Sequence, residues 1–277
     1  MKFSIVTPTR NALEKLRRCV GSVRGQSGVA VRHIVQDACS SDGTPAWLAA
    51  QPDLDWRSEA DGGMYDAINR GWARADGEIL SWLNSDEQYL PGTLEKVAQI
   101  FTNSPEIDFI YGNYIVVKPD GDPIAARREI RLSMAYISNG YLNAASCTMF
   151  FRRRLLEARA IHLDTGFRYA SDMDMVLRLL SAGYKPKFIK QYLALFAFDG
   201  GNLSCSPEMI EETLKIRKKF GGKYGLLRLP YMGLRVIERA ISGSYKREDV
   251  SYLYAIDDSP RYRAVDSKAV SASYVTQ

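Results

Sequence analysis

The first hundred residues alternate between two periodicities, and that alternation limits the fold more than any single motif does. Residues 3–7, 31–36 and 79–83 are short runs rich in apolar residues of the kind that form buried strands, and residues 55–58 read as another strand. Between them, residues 11–26 place Leu13, Leu16, Val20 and Val23 on one helical face, and a short helix passes through Trp47 and Leu48. Residues 65–73 bring Tyr65, Ile68 and Trp72 together, and a helix from Thr93 aligns Leu94, Val97, Ala98 and Phe101. Strands alternating with helices at this rhythm predict an α/β fold built on a mostly parallel, doubly wound sheet with right-handed crossovers.

Each strand ends in polar residues: Thr7-Pro8-Thr9-Arg10, Asp37 with its loop, residues 59–63, and Asn84-Ser85-Asp86-Glu87. Open α/β sheets bind ligands outside the carboxyl ends of their strands, so four such ends in succession suggest a ligand along one edge. Asp86 and Glu87, with Asn84, can hold a hard cation, since Mg²⁺ takes one or two carboxylates plus substrate phosphates. The same acidic turn can equally cap the helix that follows. Neither a GxGxxG nor a GxxxxGK[ST] motif is present, so a nucleotide here would be held by a carboxylate on its base and a metal on its diphosphate.

Composition narrows the class. With 277 residues, 46% hydrophobic and 25% charged, the chain has ample core for one large domain with an appendage, or two domains. A net charge of +5 is too mild to indicate nucleic acid and suits an anionic small molecule or an acidic membrane surface. Cys19, Cys39, Cys147 and Cys205 lack metal-ligand spacing and are expected as reduced thiols in a cytoplasmic protein. Residues 1–6 form a strand and not a signal peptide, and no run approaches the roughly 18 apolar residues of a membrane span. His33, inside a strand, and His162, near a turn, are expected to be structural.

Beyond residue 112 the rhythm changes. Residues 114–124 read as a hairpin, 130–145 as an irregular, substrate-facing loop, 171–183 as a helix, and 187–198 as one or two late strands. Residues 206–258 read as a helical extension, with a basic helix at 210–220 and an apolar stretch at 224–241 interleaved with Arg228, Arg235 and Arg239. That stretch fits either an anionic membrane surface or a helix packed on the domain with its basic face in solvent. Residues 259–277 are polar without periodicity and are expected to be a loosely docked tail.

Five segments in order carry a resemblance: Ser4-Ile-Val-Thr-Pro-Thr9, Gln36-Asp-Ala-Cys-Ser-Ser-Asp-Gly-Thr44, Ser58-Glu-Ala-Asp-Gly-Gly-Met-Tyr-Asp-Ala-Ile-Asn69, Gly77-Glu-Ile-Leu-Ser-Trp-Leu-Asn-Ser-Asp-Glu87 and Ala170-Ser-Asp-Met-Asp-Met-Val-Leu-Arg-Leu179. Across residues 3–200 the chain resembles glycosyltransferase family 2. The resemblance implies the GT-A fold, a Rossmann-like, mostly parallel mixed sheet flanked by helices, with a catalytic domain over 1–205. Its nucleotide half would span about 1–112 and its acceptor half about 113–205.

It also implies roles. Thr7, Thr9, Asp37, Asp61, Asn69 and Ser85 would contact the nucleotide, with Tyr65 beside the sugar. Asp86 and Asn84 would hold Mg²⁺ or Mn²⁺, with Glu87 adjacent, although Asn84 replaces the first aspartate of the usual Asp-x-Asp. Asp172 would be the general base of an inverting transfer, while Asp174 resembles the partner of a Ser171 capping box. Arg178 is either an ion-pair partner or a diphosphate contact. A Gln frequent in the family is replaced by 143-Asn-Ala-Ala-Ser-146, and Asp199 is the one candidate for a late metal-binding His. The implied partners are a nucleoside-diphosphate sugar, UDP favoured, and a glycan or lipid-linked acceptor. A sugar nucleotidyltransferase would need a Gly-rich basic loop that this chain lacks after its first strand; a non-catalytic binding module would not need both Asp86 and Asp172.

Overall fold

The structure is a computed structural model, and it describes residues 1–200 and 206–272. In chain order the first half comprises β1 (Lys2–Thr9), α1 (Leu13–Arg24), β2 (Ala30–Asp37), α2 (Thr44–Ala49), β3 (Asp55–Ser58), α3 (Met64–Ala73), β4 (Ile79–Trp82), β5 (Glu87–Tyr89) and α4 (Thr93–Asn103). The second half continues with β6 (Phe109–Val117), β7 (Pro123–Arg127), α5 (Met134–Asn139), β8 (Phe150–Arg152), α6 (Arg153–Glu157), α7 (Ser171–Ser181) and β9 (Pro186–Ala197). The remainder is α8 (Pro207–Lys219), α9 (Leu229–Ile241), β10 (Glu248–Ala255) and β11 (Tyr262–Val270).

The main sheet runs β3-β2-β1-β4-β8-β6-β9-β5, with β7 beside β6. Its first four strands are parallel, as the alternation predicts, while β8 enters antiparallel between β4 and β6. Helices cover both faces because β1 and β4 are buried on both sides. One core layer sets Trp82 flat against Phe151, centroids 6.0 Å apart, with Trp72 edge-on to both. The other packs Phe3, Tyr89, Phe101 and Phe150 beneath α1 and α4.

Three sequence expectations change. Residues 130–145 are not an open loop: Ile130, Leu132 and Ile137 are buried, and the Tyr111 hydroxyl donates to the Ile130 carbonyl at 3.1 Å while accepting from the Leu132 N–H at 2.7 Å. The apolar side chains supplied the burial that the irregular pattern concealed, and α5 forms within the segment. The polar tail is likewise not loose through Val270, because β11 pairs antiparallel with β10, whose Val250, Tyr252 and Tyr254 alternate inward. Residues 206–258 are therefore not wholly helical. Thirdly, the acidic turn does not lead straight into the next helix: Glu87–Tyr89 is a short strand paired antiparallel with β9.

The turn between β10 and β11 sits on α1. A Cβ at Gly21 would lie 1.9 Å from the Asp257 carbonyl oxygen, and one at Gly25 would lie 1.6 Å from the Tyr262 hydroxyl. Trp47 Nε1 and Arg24 Nη1 donate to Asp258 in the same turn. At an open helix position Gly→Ala stabilises by about 1 kcal/mol. Here the sign should invert: Gly21→Ala is expected to cost about 1–3 kcal/mol by displacing the turn. Thermal unfolding checks this, and a raised melting temperature would show that the hairpin does not pack on α1.

Candidate active site

The parallel register sets one wall of the site. Thr9 on β1 lies opposite Asp37 on β2, which lies opposite Ser58 on β3, so the three end in one row. Asp37 is fully buried and accepts from the Ser40 N–H at 3.1 Å, from the Ser40 hydroxyl, and from the Ser58 hydroxyl at 2.5 Å. Neither Ser40 nor Ser58 stood out in the sequence, since their role depends on strand register. The loops after β1 and β2 are also tied together. Asn11, in the left-handed region at φ 48°, accepts from the Ser41 N–H, and Asp42 accepts from the N–H groups of Leu13 and Thr44. Thr9 Oγ1 is buried beside this row without a hydrogen-bond partner among the described residues.

The second wall is the turn from β4 to β5. The Asn84 N–H donates to Glu87 Oε2 at 2.8 Å, so Glu87 folds back to close its own turn. Burial and then the charge of Asp86 push its carboxyl up to about 8. Successive strand side chains face opposite ways, and Glu87 points inward while Asp86 lies in a recess with Lys15, Arg18, Gln88 and Asp199. Lys15 Nζ stands 2.8 Å from Asp199 Oδ2. Burial raises the Asp86 carboxyl above the usual carboxylate range, and the Lys15 charge pulls it back. Ser85 is half-buried in the same turn.

The N-terminus of α7 supplies the third wall. Asp172 is half-buried, its Oδ1 accepting from the Met173 N–H at 2.8 Å and from the Tyr65 hydroxyl at 3.4 Å. Burial pushes its carboxyl up to about 6, against both hydrogen bonds. The charge of Asp172 also contributes, after burial and Asp86, to raising the Glu87 carboxyl. The extension contributes Glu212, whose carboxylate accepts from the N–H groups of Arg168, Tyr169 and Ala170 at 2.7–3.1 Å. Glu212 thereby fixes the approach to Asp172. No sequence signal marked it, because it acts through backbone groups distant in the chain.

Several expected residues are engaged elsewhere. Thr7 Oγ1 is buried against His33 Nε2 at 2.8 Å, and burial lowers that imidazole to about 4, so His33 is a neutral, structural partner. Asn69 pairs with both backbone groups of Leu163, at 2.7 and 3.0 Å. Asp174 does not complete a capping box; it is buried between Arg178 at 2.8 Å and Lys219 at 2.7 Å. Arg178 also donates to the carbonyls of Ala160 and His162, an ion-pair partner's geometry. Asp61 accepts from the Gly63 N–H at 2.9 Å at the entry to α3. Asn143, where the family frequently has Gln nearby, holds the carbonyls of Ile130 and Arg131. Gly201 and Cys205 lie outside the described residues.

A cation is implied at the Asp86 turn. Among the described residues no group of three or more His, Cys, Asp or Glu side chains is arranged to hold one. Asn84 Oδ1 is nevertheless buried without a hydrogen-bond partner, and Asp86 lies beside it in sequence, which fits a site completed by substrate phosphates. Because Gln retains the acceptor that closes the turn, Glu87→Gln is expected to stay within about threefold of wild-type turnover. A loss of roughly a hundredfold in a turnover assay would instead make Glu87 a ligand.

The sheet order, the row of polar strand ends and the acidic turn after β4 are those of a GT-A fold. Residues 4–160 match the profile of Glycosyl transferase family 2, and the chain belongs to that family. An uncharacterized glycosyltransferase of Mycobacterium tuberculosis is 28% identical over 255 residues, covering 91% of this chain and 92% of the relative. The succinoglycan biosynthesis protein ExoO of Rhizobium meliloti is 28% identical over 199 residues, covering 65% of this chain and 56% of the relative. Among solved structures, S. aureus TarS 1-349 in complex with UDP-GlcNAc superposes with a TM-score of 0.62 at 19% identity, covering 79% of this chain and 66% of that one. The mannosyltransferase PcManGT of Pyrobaculum calidifontis, in complex with GDP-Man and Mn²⁺, gives 0.55 at 17% identity, covering 87% and 75%.

Proposed function

We propose that this glycosyltransferase inverts the anomeric centre as it moves a sugar from a nucleoside-diphosphate donor, UDP favoured, to a hydroxyl of a glycan or lipid-linked acceptor in polysaccharide or cell-envelope biosynthesis. It would work in the cytoplasm and depend on Mg²⁺ or Mn²⁺. The observation that carries the reading is Asp172, a half-buried carboxyl raised to about 6, beside Tyr65 in the first turn of α7. Such a group is ionised at neutral pH yet basic enough to take a proton. The relative named for succinoglycan biosynthesis supports the polysaccharide reading, and the neighbours solved with UDP-GlcNAc and with GDP-Man and Mn²⁺ support the donor class.

In this reading Asp37 and Thr9 meet the nucleotide, with Asp61 and Ser85 on its flanks. Asp86, with Asn84, would hold the cation. When bound, the cation supplies positive charge that favours departure of the nucleoside diphosphate. Asp172 accepts the proton of the acceptor hydroxyl as that oxygen attacks the anomeric carbon from the face opposite the leaving group. Tyr65 orients the Asp172 carboxylate, while Thr7, Asn69, Asp174 and Arg178 act by holding strands and helices in place. A panel of UDP-, GDP- and dTDP-sugars with Mn²⁺ tests it. Release of one nucleoside diphosphate, lost on chelation, is expected; no release from any donor with any acceptor glycan or lipid extract would contradict it.

A further inference from the structure

Helix α9 is mounted with its charge inward. Arg235 and Arg239 are 4% and 2% exposed and are its only buried residues. Arg235 donates to the Tyr141 carbonyl at 2.9 Å with its guanidinium 3.5 Å from that ring's centre, and Arg239 meets Glu129 at 3.0 Å. The opposite face and the turn before it present Leu226, Leu227, Leu234, Ile237 and Ile241, the outermost of them 81–82% exposed. A helix evolved for contact with water alone points arginines out and leucines in. Five large apolar side chains exposed on one helix face and the turn before it are of the kind that marks an interaction site.

The surrounding charge identifies what covers it. From Lys215 to Arg247 the chain has ten basic residues and one acidic residue, eight of the basic ones besides the inward Arg235 and Arg239, while the whole chain carries only +5. Lys215, Lys218, Lys223, Lys246 and Arg247 are all exposed. A second copy docking on the same face would oppose two strongly basic bands. An anionic bilayer accepts both components, the apolar stripe at the acyl boundary and the basic residues that flank it in sequence among headgroups. Among the described residues no helix is long and apolar enough to cross a membrane, so the attachment would lie in the interface.

We infer that the outward face of α9 and the preceding turn is a docking surface for an anionic lipid bilayer. Helix α9 packs on α5, and α5 on α7, whose first turn carries Asp172, so docking would orient the Asp172 helix relative to the bilayer. That consequence for a lipid-linked acceptor rests on the transferase reading above, whereas the docking does not.

Co-flotation of the full chain with vesicles tests the inference, using about 30 mol% phosphatidylglycerol in phosphatidylcholine against phosphatidylcholine alone. Wild-type protein should float with the anionic vesicles and be released at about 0.5 M salt only in part, since the apolar contact persists. The double variant Ile237→Glu/Ile241→Glu, altered at exposed positions, should lose roughly a hundredfold or more in partitioning with its melting temperature and any UDP-induced shift unchanged. Absence of wild-type flotation overturns the inference, as does flotation unchanged in the double variant. So does a dimer abolished by the same substitutions in a protein that ignores vesicles. A protein that floats but shows no stabilisation by any nucleoside diphosphate would leave docking standing and remove the transferase reading.

Discussion

Asp172→Asn is expected to abolish transfer while leaving donor binding intact and making the protein more stable at neutral pH. The amide keeps the acceptor for the Met173 N–H and the Tyr65 hydroxyl but cannot take a proton. Loss of a general base costs about 10²–10⁴ in rate. The stability effect has a definite sign. The folded carboxyl titrates near 6, above its ordinary 3.8, so the unfolded chain loses this proton first and folding stability falls as pH rises from about 4 to about 6. Above that window the full cost is present, at most about 3 kcal/mol for a shift of this size, and Asn removes it. At pH 7.5 the variant should therefore melt higher than wild type, and below pH 4 the difference should vanish. Wild-type transfer should decline below pH about 6 for the same reason. Near-wild-type transfer by the variant would remove the base assignment.

Asp86→Ala should be as damaging to activity through a different route. Asp86 is the one carboxylate of the turn available to a cation, since Glu87 closes its own turn and Asn84 brings only a neutral oxygen. Removing a group that stabilises the leaving diphosphate costs about 10²–10³ or more. The loss should appear in donor turnover with water or any acceptor, and raising Mn²⁺ should not restore it. Stability should not fall, because burial already disfavours the ionised carboxyl. A variant that turns over donor normally in Mn²⁺ would show that the diphosphate is neutralised by protein cations, with Lys15 the nearest candidate in the same recess.

Much of the nucleotide half was legible in the sequence because its elements obey local periodicities. β1, β2 and β4 are short runs rich in apolar residues, and α1, α3 and α4 carry one-sided stripes, so the alternation and its parallel pairing follow, although β3 has Trp56 as its one apolar residue. What stayed hidden depends on contacts between distant segments. Asp37 is identifiable as a strand-end acid, but its Ser58 partner follows from the register of β2 and β3. Glu87 read as a potential ligand because nothing in three residues, Glu87–Tyr89, announces an antiparallel strand that turns it inward. Thr7 and Asn69 matched motif positions whose side chains proved to be engaged with His33 and Leu163. Helix α9 illustrates a deeper limit. An amphipathic pattern specifies two faces without saying which one meets the protein, and here the arginine face does. The β10–β11 hairpin was masked by its polar outer residues, although the alternation of Val250, Tyr252 and Tyr254 was present.

The central claim is that Asp86 and its turn create a metal-dependent nucleoside-diphosphate site. Calorimetric titration of UDP and GDP into the wild-type protein, with Mn²⁺ and then with a chelator, measures it directly. One of the two should bind at least about tenfold more tightly with Mn²⁺, a gain of about 1.4 kcal/mol or more, and Asp86→Ala should erase that difference. Equal affinity with and without the cation, or no binding of either nucleotide, would contradict the account.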